Sequence, residues 1–172
     1  MTISLYDLSV ASYLQTLGAV KSVLQKGLEH CQANNINPQD IVDSKLIADM
    51  LPFSFQVTSV AHHSRGAIEG LKSGVFSPPG GMPPDYAGLQ KLIADAEAGL
   101  KSLMPAEVNA YEGKDMTFQL RDIKIPFTAE GFIMSFSLPN FYFHAATTYD
   151  ILRMKGVKLG KRDFMGQMRM KT

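Results

Sequence analysis

The sequence predicts an all-α fold, an antiparallel up-and-down four-helix bundle with one small late β-hairpin. Three observations carry this. Apolar residues recur at helical spacing over three long stretches, proline and glycine punctuate those stretches, and only one short segment changes to a period of two. The chain has 172 residues, 45% of them hydrophobic and 19% charged, which is the balance of a globular protein. A chain of this size buries roughly 70% of its unfolded surface, enough for one core, so a single domain over 1–172 is expected. The only cysteine, Cys31, excludes an intramolecular disulfide.

The first helix is read from Leu5 to Ala33. Val10, Tyr13, Leu14, Leu17, Val20, Leu24, Leu28 and Cys31 form one stripe, with Lys21, Gln25 and Glu29 off it. Ser4, with Asp7 three residues on, caps its start, and Asn34-Asn35 ends it. Pro38 opens a turn, and Asp43-Ser44 caps a brief helix through Met50. Pro52 stands where a helix can begin without its amide, and Phe53, Val57, Val60, Ala61, Ile68 and Leu71 carry the second long helix to Ser73-Gly74. Four of the nine prolines lie between Ser77 and Asp85, which makes that stretch a loop.

Asp85 caps a third helix with the stripe Leu89, Leu92, Ile93, Ala96, Leu100 and Leu103, closed by Pro105. The period then changes. Met116 to Leu120 and Ile123 to Phe127 alternate around Arg121-Asp122 and read as a hairpin, with Pro126 on an edge. Thr128 opens a fourth helix through Leu138. Pro139 breaks or restarts it, and a last helix runs from Asn140 to Lys155. The basic end, about 157–172, reads as a solvated tail.

Charge and hydropathy exclude several partners. With 17 Lys and Arg against 16 Asp and Glu, the net charge of +1 gives no field for nucleic acid. No apolar run reaches the roughly 18 residues of a membrane span, and Met1 to Asp7 has neither the basic nor the apolar part of a secretory signal. A cytoplasmic location is the expectation. Phe132, Phe136, Phe141, Tyr142 and Phe143 crowd around Pro139, with Met134, Phe164, Met165 and Met168 in addition, more than one small bundle readily buries. A homodimer closed through that patch is expected; the other reading is a tail folded back over it within one subunit.

The last helix also carries the candidate site. Asn140 and His144 are four residues apart and share a face, continued by Thr147 and Thr148. The sequence from Pro139-Asn-Phe-Tyr-Phe-His to Tyr149-Asp-Ile-Leu-Arg, then Gly160-Lys-Arg-Asp-Phe, resembles a bacterial and fungal family of unknown function. That family lies within the DinB/YfiT-like superfamily of candidate metalloenzymes. The resemblance implies a helical bundle with three histidine ligands, one early in the second long helix and two on the last helix. In this register Gln56, Asn140 and His144 fall on the three positions. They are the expected ligand-binding residues, converging on an interhelical cavity, with His144 as the catalytic candidate.

Three imidazoles hold Zn²⁺ or Ni²⁺ and leave a position open for water, whereas a carboxamide oxygen is a poor donor to these ions. No tightly bound metal or other cofactor is therefore expected, and Zn²⁺ or Ni²⁺ would bind weakly. If metal is held, His144, His63 and His62 are the ligands to consider. His63 comes seven residues after Gln56, so it shares that face about 10 Å further along the axis; on its own, the His62-His63 pair reads as an exposed or flanking feature. Three functions remain open: a small-molecule binder with a degenerate metal site, an enzyme using His144 on a small organic or thiol substrate, and a structural or dimerisation module. For the assembly, light scattering over a dilution series should give a dimer mass; a monomer at high micromolar concentration with a protease-resistant tail would overturn it.

Overall fold

The computed structural model describes residues 3–83 and 85–171. Among them the protein is mostly helical, with one small three-stranded sheet. The expected first helix is broken once. Helix α1 (Leu5–Leu8) starts at Ser4, whose hydroxyl accepts from the Asp7 amide at 3.1 Å, and ends where Ser9 leaves helical geometry at φ −98°, ψ −78°. The Ser9 hydroxyl donates back to the Leu5 carbonyl, a local bond that competes with the helical ladder. Helix α2 (Val10–Asn34) then runs for 25 residues and stops at Asn35 in the left-handed region (φ 53°). Its stripe is buried from Val10 through Tyr13, Leu17, Val20 and Leu24 to Cys31.

The brief helix expected from Asp43 to Met50 lies elsewhere, in α3 (Pro38–Val42). The Asn37 side chain accepts from the Gln39 amide and Pro38 takes the first turn, so the start signal acts six residues earlier. The Ser44 hydroxyl turns back to the Asp40 carbonyl instead of capping forward. Helix α4 (Phe53–Ala61) comes after Pro52, passes through a π-helical turn (His62–Gly66) and continues as α5 (Ala67–Ser73), which Gly74 ends at φ 78°. Strand β1 (Val75–Phe76) was not expected. Helix α6 (Tyr86–Lys101) is capped by Asp85, whose carboxylate accepts from the Gly88 amide at 2.7 Å. Pro105, expected only as a stop, instead opens α7 (Pro105–Asn109).

Strands β2 (Asp115–Leu120) and β3 (Ile123–Thr128) form the expected hairpin, with Arg121 at φ 54° in its two-residue turn. Pro126 lies on the outer strand, where its missing amide breaks no inner ladder. The sheet is larger than a hairpin because β1 joins β2 in parallel, Val75 opposite Thr117. Thr128 caps α8 (Ala129–Phe132), a second π-helical turn covers Ile133–Ser137, and α9 (Leu138–Met154) continues from it without a break. Proline at the start of α9 does not interrupt the chain's helical course, since the wide turn before it takes up the displaced ladder. Helix α4 packs on α9 and α6, and α2 packs on α6 and α9. At one crossing a Cβ on Gly27 would lie 2.3 Å from the Tyr86 hydroxyl, which donates to the Leu24 carbonyl at 2.8 Å.

The basic end is less solvated than its composition implies. Val157 and Leu159 are buried, Lys26 pairs with Asp163 at 2.5 Å, and α10 (Lys161–Met165) lies on α2 with Phe164 against Tyr149. Of the crowded aromatic and methionine side chains, Phe132 and Phe141 are fully inside, while Met134, Tyr142 and Phe143 remain exposed. Among the described residues no helix is long and apolar enough to cross a membrane.

A buried hydroxyl ties the two π-helical turns together. The Ser137 hydroxyl donates to the His63 carbonyl at 2.7 Å, so its only proton is spent, and the Tyr13 hydroxyl 2.8 Å away must donate to Ser137. Tyr13 is fully buried, and burial pushes its phenol up, out of reach of ionisation. Ser137→Ala removes both bonds and strands the His63 carbonyl and the Tyr13 hydroxyl. It should cost about 2–3 kcal/mol, against about 1 kcal/mol for Tyr13→Phe. Urea denaturation of both single variants and the double variant checks this, and the double should cost less than the sum.

Candidate functional site

The first π-helical turn sets the site. The extra residue in the turn rotates the helix beyond it, and His63, seven residues after buried Gln56, keeps its inward face instead of lying on an exposed flank. It is only 8% exposed, and its ring lies nearly parallel to that of His144, 19° apart in plane and 6.0 Å between centroids. Phe76 from β1 stands 5.3 Å from His63 and 4.4 Å from His62, and Phe136 stands 5.7 Å from His63. Phe55 and Phe143 meet the His144 ring edge-on at 5.7 and 5.2 Å.

Gln56 reaches His144 and Asn140 does not. The Gln56 Nε2 donates to the Leu51 carbonyl at 2.9 Å, which fixes the amide so that Oε1 faces His144 Nδ1 at 2.7 Å. An amide oxygen only accepts, so His144 carries its proton on Nδ1, and its Nε2 is left as a bare acceptor. No hydrogen bond within the described residues engages Nε2, which is open to solvent. Gln56 is thus a positioning residue for the imidazole. Asn140 is turned away, its amide donating to the Phe136 carbonyl at 2.7 Å, in the turn just ahead of Pro139. The expected convergence of three side chains is therefore corrected to Gln56 and His144, with His63 as the third neighbour.

Electrostatically the site is built against charge. Burial lowers His144 from the ordinary imidazole value to about 4. Burial also lowers His63, to about 3, and the neighbouring His62 and His144 rings add to the shift. Both rings are neutral at pH 7. His63 Nδ1 is sealed from solvent without a partner, the one such side-chain atom among the described residues. His62 looks the other way. Its Nε2 donates to the Ser77 carbonyl at 2.6 Å and anchors the start of the proline loop; burial lowers it as well.

The three-histidine centre implied by the resemblance does not fit these residues. Of its positions, one holds a carboxamide spent on Leu51 and His144, one a carboxamide spent on Phe136, and only one an imidazole. Among the described residues no three His, Cys, Asp or Glu side chains could hold a metal ion, the trio His62, His63 and His144 included. Five clefts among the described residues are lined by other side chains than Gln56, His63 and His144. Exposed Leu51 and Phe143 flank the pair, Leu51 through its carbonyl bond to Gln56 and Phe143 edge-on to the His144 ring.

The sequence offered little warning of Ser137, Tyr13 or Phe76. Tyr13 reads as one more member of the α2 stripe, and Ser137 as a neutral position between two phenylalanines and a proline. The trace that pointed to Phe76 was a β-branched and an aromatic residue directly after a helix-ending glycine.

A mostly helical chain with an imidazole held by a second helix, and a short sheet inserted before the last helix, has the DinB-like fold. A solved structure described as a DinB family member protein from Shewanella denitrificans superposes on it with a TM-score of 0.81. The two share 24% sequence identity, and the match covers 98% of this chain and 95% of that one. The chain belongs to the family described as "Domain of unknown function (DUF1993)", whose pattern matches residues 5–165. No curated protein matches it.

The lowered imidazoles predict an acid-sensitive fold. In the unfolded chain both histidines titrate near 6.5, so above that pH the neutral rings cost nothing. As pH falls through 6.5 toward about 4 for His144 and about 3 for His63, the unfolded state takes up protons that the folded state refuses, and stability is lost. Urea denaturation at pH 7 and pH 5 should show the loss. His144→Gln, which removes one of the two groups, should flatten the pH dependence even if it lowers stability at both.

Proposed function

We propose that this protein is a small-molecule binder whose ligand donates a hydrogen bond to His144 Nε2. The single observation that carries this is the chain from the Leu51 carbonyl through Gln56 to His144 Nδ1, which leaves Nε2 bare and oriented. The surroundings set the ligand's chemistry. Phe55, Phe143 and the His63 ring offer flat apolar faces, and the same desolvation that keeps the imidazoles neutral disfavours a charged ligand. The class is a neutral organic molecule with an apolar or aromatic body and one O–H or N–H donor. The long helices α2, α4, α6 and α9, read as a four-helix bundle, form the rigid frame for this site.

Catalysis by His144 as a general base is the second reading, because a neutral Nε2 within reach of a ligand proton is the geometry such a base needs. Its lowered affinity for protons counts against it. A base of pKa about 4 gains little by taking a proton at pH 7, whereas an efficient one lies near the working pH. A purely structural role accounts for Gln56 and Asn140, whose amides donate within the fold, but not for the sealed, unpartnered Nδ1 of His63. The donor set also favours a protein that works without a transition metal.

Phenol is a suitable probe. In ¹⁵N-resolved imidazole spectra, His144 should show the Nδ1–H tautomer, and phenol should shift its Nε2 resonance saturably, with no shift in His144→Gln at the remaining histidines. An Nε2–H tautomer, or a His144 resonance indifferent to phenol, would overturn the reading. Elemental analysis of protein purified without chelators should find no stoichiometric zinc or nickel; one equivalent would restore the metal reading and make His144, His63 and His62 the first ligands to substitute.

A further inference from the structure

On the opposite side of the His62-His63 pair lies a cleft of about 530 Å³ that the His144 site does not use. One wall is the outer face of α4 and its π-helical turn, with Ala61, His62 and Arg65; a second is α6, with Leu92 and Ala96; and the proline loop, through Pro79 and Met82, closes the third. We infer that this cleft binds an organic carboxylate with a flat apolar body, held by the guanidinium of Arg65.

Arg65 is held from one side only. Its Nε donates to Glu69 at 2.8 Å, and Nη1 reaches the Asp95 carbonyl only at 3.5 Å. The side chain is thus tethered through its inner nitrogen, leaving the outer edge of the fork, the pair of nitrogens that fits a carboxylate in the bidentate manner, without a short bond. It lies across α6 at Gly99, where a Cβ would come within 3.0 Å of both Cδ and Nε, so any larger residue there would push the arginine off this path. Gly66 does the same for the neighbouring wall, since a Cβ there would lie 2.9 Å from His62 Nδ1. Two glycines therefore let two long side chains lie flat, and a stem that is already ordered gives up less freedom when a ligand arrives.

The cleft's lining carries two carboxylates, Glu69 and Asp95, and one guanidinium, Arg65. Glu69 is paired with Arg65, and Asp95 with Lys91, outside the lining, at 2.5 Å. His62 is neutral, its proton on Nε2 and engaged with Ser77. The ligand's carboxylate therefore shares Arg65 with Glu69 and bonds the edge of the fork that Glu69 leaves free. Its body meets Ala61, Leu92, Ala96, Met82 and proline rings, surfaces that suit a ring or a short hydrocarbon. Arg65 is half-exposed, so affinity at this cleft is modest and depends on both ends of the ligand at once.

Benzoate and its neutral isostere benzamide test this in ¹H–¹⁵N titrations of the whole chain. Benzoate should produce saturable shifts at Gly66, Gly81, Ala96 and Gly99, with benzamide much weaker. Arg65→Lys keeps the charge and loses the fork, and should weaken benzoate roughly tenfold, the loss expected on giving up one of two charge-assisted hydrogen bonds. Glu69→Gln removes the competing carboxylate and should tighten binding. Equal affinities for benzoate and benzamide, an unchanged affinity in Arg65→Lys, or shifts confined to other parts of the chain would each overturn the proposal. All four resonances lie away from His144, so the result is independent of phenol binding there.

Discussion

The carbonyl of His63 is the point on which the site depends. A π-helical turn disturbs the regular ladder, and an unpaired carbonyl in a buried position costs a substantial part of a small domain's stability. Ser137 supplies the missing donor from a second π-helical turn, and Tyr13 completes the chain from α2. One hydroxyl thereby fixes the relative positions of α2, the second long helix and the last helix. With the two irregular turns joined back to back, the His63 ring is directed toward His144 rather than toward solvent. The Tyr13 ring also packs edge-on against Phe141 at 4.9 Å, so the polar link is enclosed by apolar contacts.

That arrangement determines the electrostatics. Two imidazoles stacked among phenylalanines, with no carboxylate against either ring, are held neutral by desolvation, and the His62 and His144 rings make protonation of His63 harder still. In a three-imidazole metal centre the same dry surroundings would be compensated by the ion. Here Gln56 performs a different task from a metal ligand: it accepts the Nδ1 proton of His144 and so selects the tautomer. A carboxylate at that position would have pulled the ring toward the charged form; the carboxamide orients the ring without adding charge. The fold therefore brings Gln56 on α4 against His144 on α9 and joins the two by a neutral hydrogen bond.

The proline loop links the two sides of the second long helix. His62 and His63 are adjacent in sequence but face different compartments, one tied to the Ser77 carbonyl beside the Arg65 cleft and the other stacked on His144. Strand β1 brings Phe76 between them, within 5.3 Å of both rings. Gly70 permits the approach, since a Cβ there would lie 3.1 Å from that of Phe76.

Legible in the sequence were the long helices, their caps at Ser4, Asp85 and Thr128, the hairpin about Arg121-Asp122, and the meeting of Gln56 with His144. These are local or periodic features: a stripe at a spacing of three and four, or a hydroxyl or carboxylate one turn ahead of a free amide, is written in neighbouring residues. Local signals also misled where two competed, as at Asn37 and Asp43, or where a side chain could turn back on its own helix, as Ser9, Ser44 and Asn140 do. The tertiary fold was needed to show that the His63 ring stacks on His144, that Asn140 bonds Phe136 instead of His144, that β1 joins β2, and that the basic end packs on α2. Spacing put His63 on the Gln56 face but could not bring α9 against it. The bond that ties the two π-helical turns comes from a hydroxyl 74 residues away in the chain, and no local periodicity registers a partner at that distance.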